Sequence, residues 1–174
     1  MKITLLEYPG EKDWMEVKRR ALVTVGKQPV TAPDMDWKRS ILEARHSPIR
    51  YLHFAFLLED VPSWVSVHLV RHHVGCQPYV KSQRNDRQSD YDRNKAPQDA
   101  PVTMIWDMNA EALMVIANKR LCNQASRETK SVVQRMCNEV VQRCPEFIPF
   151  LVPMCVYHGG VCHEMFPCQE GTRG

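Results

Sequence analysis

Long apolar runs, a surplus of one charge, internal repeats and closely spaced cysteine pairs are all missing from this 174-residue chain. No window is apolar and long enough to span a bilayer; the best, FIPFLVPMCVY (147–157), is broken by two prolines. No membrane partner is therefore expected. The net charge is only +3, from 23 basic and 20 acidic side chains. That balance gives no reason to expect a nucleic-acid partner, although it leaves room for a local basic site. The opening MKITLLEYPGEKDW carries a short apolar run, too brief for a secretory leader, and then turns polar. A cytoplasmic chain is the expectation. Its seven cysteines are an odd number, six of them in the last third. Without an export signal, free thiols or a metal site are the alternatives to a disulfide framework.

What is present fits an ordinary soluble domain. Apolar residues make up 44% and charged residues 25%, and one domain over 1–174 can bury a real core. KITLLEY alternates as a strand does and stops at Pro9-Gly10. Asp13 is placed to cap a helix with Trp14, Val17, Ala21, Leu22 and Val25 at helical spacing. A loop over 26–33 follows, then Asp36 as cap of a helix carrying Trp37, Ile41 and Leu42, stopped by Ser47-Pro48.

YLHFAFLLE (51–59) reads as a strand, with Leu52, Phe54, Phe56 and Leu58 on one face. Pro62 suits the first turn of a helix through SWVSVHLVRHH. Residues 74–100 read as loop, and VTMIW (102–106) as a short strand. Asn109 and Ser126 are caps for two further helices, the second bearing the stripe Val132, Val133, Met136, Cys137, Val140 and Val141. The fold class expected is α+β, an antiparallel sheet with packed helices, with a cysteine-rich C-terminal extension from about 145.

Chemistry gathers in LVRHHVGCQPYVKSQRND (69–86). Guanidinium forks bind phosphate oxygens two at a time, and serine and histidine add directed hydrogen bonds. Arg71, His72, His73, Ser82 and Arg84 can cradle an anion in this way. Equally, Arg71-His72-His73 falls at a helix C-terminus, where the dipole alone favours cations. His68 and His72 stand four apart on one helix face, a spacing open to a metal but common without one. The alternating acids Asp86, Asp90, Asp92 and Asp99 dilute the field of Lys81, Arg84, Arg87, Arg93 and Lys95.

The order of these residues resembles the flavin-dependent thymidylate synthase (ThyX) family. That family's motif is Arg-His-Arg, seven residues, Ser, one residue, Arg. Here Arg71-His72-His73 is followed by eight residues and then Ser82-Gln83-Arg84. RHSP (45–48) resembles the family's His-Glu-Thr-Pro segment, and NAEALMVIANKRL (109–121) its Asn-Ala-Arg-Ser-Leu helix. The three segments lie in the family's order across most of residues 40–128.

The resemblance implies a ThyX-like fold and a homotetramer with active sites shared between chains. It implies FAD as cofactor, NADPH and methylenetetrahydrofolate as co-substrates, and dUMP as the nucleotide methylated at C5. By position, Ser47, Arg71, His72, His73 and Asn109 correspond to cofactor-binding residues. Ser82, Arg84 and Arg120 correspond to residues that grip and activate the nucleotide, with Arg120 reaching from a neighbouring subunit, and His68 and Arg71 stand with the substrate-binding set. No metal is called for. The chain departs from the pattern at several points: His73 and Glu111 stand where arginine is expected, Val115 where asparagine is expected, and Gln77-Pro78 or its neighbours where the loop has an Asn-Glu pair. The stretch between Arg84 and Asn109 is shorter and lacks a further nucleotide-contacting arginine. A ThyX-like enzyme acting on another pyrimidine nucleotide, for example by hydroxymethylation, and a non-catalytic nucleotide- or nucleic-acid-binding protein of the same fold are the alternatives.

Two thiol questions remain separate. Cys155, His158, Cys162, His163 and Cys168 carry zinc-type donors, yet lack the two-residue cysteine spacing of a strong zinc motif. Cys76 lies inside the motif loop. Since the family's chemistry runs without an enzyme cysteine attacking uracil, Cys76 is read as a small packing residue.

Overall fold

The computed structural model describes residues 1–87 and 91–168, and the backbone of 172–173. Asp90 lies outside the described residues. Four strands, β1 (Lys2–Glu7), β2 (His53–Pro62), β3 (Cys76–Val80) and β4 (Pro101–Asn109), form one sheet in the order β1-β2-β4-β3. Every pairing in it is antiparallel. The helices are α1 (Glu11–Val23), α2 (Met35–Glu43), α3 (Ser63–Val70), α4 (Ala110–Arg120), α5 (Arg127–Arg143) and the single turn α6 (Met154–Tyr157). The α+β architecture is the one expected. Among the described residues no helix is long and apolar enough to cross a membrane.

The core follows the two-residue period of the strands. Phe54, Phe56 and Leu58 of β2 and Met104, Trp106 and Met108 of β4 are all at most 1% exposed. They join Val132, Val133, Met136 and Val140 of α5 and Leu113, Ile116 and Ala117 of α4 in one cluster. Alternate residues of β4, such as Ile105, look outward. Several buried polar groups are paired, as burial demands, although Trp106 Nε1, Gln83 Nε2 and Glu59 Oε2 have no hydrogen-bond partner among the described residues. Trp14 Nε1 donates to Glu146 Oε1 at 2.7 Å, and Lys38 Nζ donates to Glu11 Oε1 at 2.6 Å. The wholly buried Asn118 donates to the carbonyls of Phe150 and Val152 and accepts from Arg45. That amide therefore ties α4 to the chain after α5.

Four expectations on local structure are corrected. The first helix is capped at Gly10, one turn earlier than Asp13, whose carboxylate instead accepts from the Gly10 N–H at 2.8 Å. The second is capped by Asp34, which accepts from Trp37 N at 2.8 Å, so Asp36 falls in the first turn. At α2 the helix starts earlier because the Asp34 side chain meets a free N–H group. At α1 the Gly10 carbonyl accepts from Asp13 N and Trp14 N, and Gly10 has no side chain to cap with. Pro62 closes β2 and stands before α3 as its cap rather than inside its first turn. Finally, the segment over 74–100 holds strand β3. Its Pro78 is tolerated because β3 is the sheet's edge and pairs only with β4.

Candidate functional site

α3 ends at Val70 with Arg71 as its C-cap, and the chain then turns through Gly75 into β3. Beside that turn β4 ends at Asn109, which caps α4 by accepting from Ala112 N at 2.9 Å. The Asn109 N–H also donates to the Gly75 carbonyl at 2.9 Å. Gly75 has φ of +72°, and a Cβ there would meet Asn109 Nδ2 at 2.6 Å. Only glycine permits this approach. Because Oδ1 of Asn109 is committed to the cap, its NH2 group is the part left for another partner.

Between the end of α3 and the start of α4 lies a cavity of about 590 Å3. Arg71, His72, His73 and Asn109 line it, as do Cys76, Val115 and Ile116. Glu111, read in the sequence as a departure from the family pattern, lines it too, and so does Arg50, which the sequence reading missed. Arg50 stands on the 310 turn Ser47–Tyr51, and its Nε donates to Glu111 Oε2 at 2.5 Å. Hydrogen bonding to Glu111, and then its charge, raise the Arg50 pKa. The signal available in the sequence was the arginine so soon after RHSP. Its partner, 61 residues away, was not legible.

His72 shows how the motif is wired. Arg120 Nε donates to His72 Nε2 at 2.8 Å. Arginine can only donate, so Nε2 must accept and the ring proton sits on Nδ1. Burial, then the charge of Arg120, then that of His73, lower the His72 pKa from its ordinary value. His72 is thus held neutral and Arg120 is fixed within the same chain. His73 Nδ1 lies 3.0 Å from the Arg71 carbonyl. Burial pushes the Cys76 thiol up to about 11, which makes it a poor nucleophile and agrees with a packing role.

Ser82 and Arg84 do not share this cavity. They line another, of about 350 Å3, with Lys81, Gln83 and Arg93 at the far end of β3. Arg84, expected beside Arg71, instead makes a two-pronged pair with Asp86, 2.9 Å from Nε to Oδ1 and 2.6 Å from Nη2 to Oδ2. The physical reason is β3 itself: a strand rises about 3.3 Å per residue, so it carries the two halves of the motif apart. Nor are Ser47, His68 and Arg120 among the residues lining the Arg71 cavity. Ser47 begins the 310 turn that carries Arg50. His68 packs edge-on against Trp64 and lies 3.4 Å from Thr129 Oγ1, so it is occupied structurally.

The C-terminal donors do come together. Cys155, His158, Cys162, His163 and Cys168 line a cavity of about 490 Å3 with Cys122. Among the described residues no three such side chains are arranged to hold a metal ion.

Comparison with known proteins points where the motifs pointed. Residues 86–146 match the family model described as thymidylate synthase complementing protein. The fold resembles the UMP/dUMP methylase PolB from Streptomyces cacaoi, solved with 5-Br dUMP. The TM-score is 0.67 at 15% identity, over 87% of this chain and 96% of that one. It also resembles thymidylate synthase X from Helicobacter pylori, solved with FAD and dUMP. There the TM-score is 0.64 at 13% identity, over 80% of this chain and 93% of that one. No curated protein sequence matches the chain. The resemblance to the ThyX family therefore holds both in sequence, over part of the chain, and in fold.

Proposed function

We propose that this ThyX-like chain is a flavin-dependent methyltransferase that converts dUMP to its 5-methyl product. The observation that carries the reading is the cavity where Arg71, His72, His73 and Asn109 converge. These residues fit a flavin: Gly75 leaves no room for a side chain against Asn109, the Asn109 amide keeps its NH2 group as a donor beside the cap bond, and cations accompany an apolar wall of Val115 and Ile116. Bound FAD, with NADPH as reductant and methylenetetrahydrofolate as one-carbon donor, would supply the transfer and reduction chemistry. The PolB structure contains a 5-substituted dUMP and the Helicobacter structure contains FAD and dUMP. Both support a pyrimidine nucleotide here.

The chain's own part is positioning and electrostatics. Arg71 offers a planar fork to phosphate. The Arg120–His72 bond keeps His72 neutral and its Nδ1–H a donor. Ser82 and Arg84 take the nucleotide when a second chain brings its 81–84 loop to the cavity of the first, which is how a homotetramer with shared sites would reunite the motif. Arg84 would then exchange Asp86 for the nucleotide's phosphate.

The test is the absorbance spectrum of the purified protein incubated with FAD and then gel-filtered, followed by titration with dUMP. Retained flavin whose spectrum shifts with dUMP is expected. A colourless protein with no affinity for either ligand would defeat the reading.

A further inference from the structure

We infer that Arg50, oriented by Glu111, is the guanidinium that grips the phosphate-bearing end of a ligand in the Arg71 cavity. The inference rests on the functional reading above and adds a residue to it. His72 is tied up as a neutral acceptor of Arg120, and a His73 ring nitrogen is engaged with the Arg71 carbonyl. Among the motif residues that line the cavity, Arg71 alone carries permanent charge. Arg50 is the second permanent cation on that wall.

Its geometry suits the task. Glu111 meets Nε at 2.5 Å and Nη2 at 3.4 Å. A guanidinium has five N–H donors, and this pairing leaves the Nη1 edge and one Nη2 proton available. The Arg50 side chain is 59% exposed, so that edge can be reached. An exposed ion pair of this kind adds little to stability, but it sets the direction of a side chain that would otherwise lose rotamer freedom on binding. Position matters as well. Glu111 is in the first turn of α4, where the helix dipole favours an acid and disfavours an arginine. Carrying the cation on the opposite rim, and the acid on the helix, satisfies both elements.

The phosphate could belong to the flavin's pyrophosphate or to the nucleotide, and four ligands separate these. Affinities of FAD, riboflavin, dUMP and deoxyuridine are measured for the parent chain, Arg50→Ala and Glu111→Gln. Loss of one charged hydrogen-bonding partner predicts a drop of about tenfold to a hundredfold in Arg50→Ala for a phosphate-bearing ligand. Its phosphate-free counterpart should be unchanged. A drop confined to FAD assigns the pyrophosphate, and one confined to dUMP assigns the monophosphate. Glu111→Gln keeps an acceptor for Nε while removing a negative charge, so binding should hold or tighten. Equal losses with and without phosphate, no loss in Arg50→Ala, or weaker binding in Glu111→Gln would each overturn the inference. If the parent binds neither FAD nor dUMP, the functional reading falls too; if it binds both and Arg50→Ala is unaffected, only the role of Arg50 falls.

Discussion

The two ends of strand β3 carry the two halves of one motif, yet they are built differently. At the Arg71 end, position is enforced by the backbone: a left-handed glycine, a helix cap and a carbonyl–amide bond lock Gly75 to Asn109. At the Ser82–Arg84 end, Arg84 is held by Asp86, two residues away and exposed. On the proposed function, the first end would be preorganised for a ligand that stays. The second, held by one exposed ion pair, could exchange it for an arriving anion. On that reading the rigid cavity would serve the cofactor and the adjustable loop the nucleotide, with a strand of five residues between them.

The largest way to break this contrast is Gly75→Ala. A non-glycine residue at positive φ costs about 1–2 kcal/mol by itself, and here the new Cβ also collides with Asn109. We expect a loss of more than about 2 kcal/mol in denaturant unfolding, with displacement of the α4 cap adding to the strain, and loss of FAD binding. Near-parental stability would show that the turn is loose.

A smaller effect concerns pH. The folded-state pKa of His72 is lowered, so the folded chain binds fewer protons there than the unfolded chain does. Its contribution to stability is present above the unfolded value, about 6.5, and is lost as pH falls through the folded value. Titration of the His72 ring by NMR should give a midpoint below that of a free histidine, and Arg120→Ala should move it upward. An unchanged midpoint in Arg120→Ala would dissolve the pairing.

The smallest effect on stability should come from Arg84→Ala. An exposed pair contributes at most about 1 kcal/mol, so unfolding should hardly change, while dUMP affinity falls about tenfold or more. If stability falls with affinity, the loop is part of the rigid frame and the contrast between the two ends is false.

Legibility in the sequence followed the same divide. β2 and β4 announced themselves because alternation buries one face of each, and Asn109 and Ser126 were readable caps because their side chains accept from the third residue onward. CQPYV gave no strand signal: it is an edge, it contains Pro78, and none of its residues is fully buried to impose alternation. Asp13 and Asp36 misled because acids favour the first turn as well as the cap. Within the site, Arg71, His72 and Asn109 were legible as a motif. Arg50 was not, since its meaning depends on Glu111, and Arg84 was placed with Arg71 because motif order carries no information about the strand between them.

The most direct measurement is product formation by the parent chain supplied with FAD, NADPH, methylenetetrahydrofolate and dUMP carrying tritium at C5. The account predicts tritium release matched by dTMP, abolished in Arg71→Ala. Tritium-free water and no dTMP from protein that is folded and loaded with flavin would contradict it.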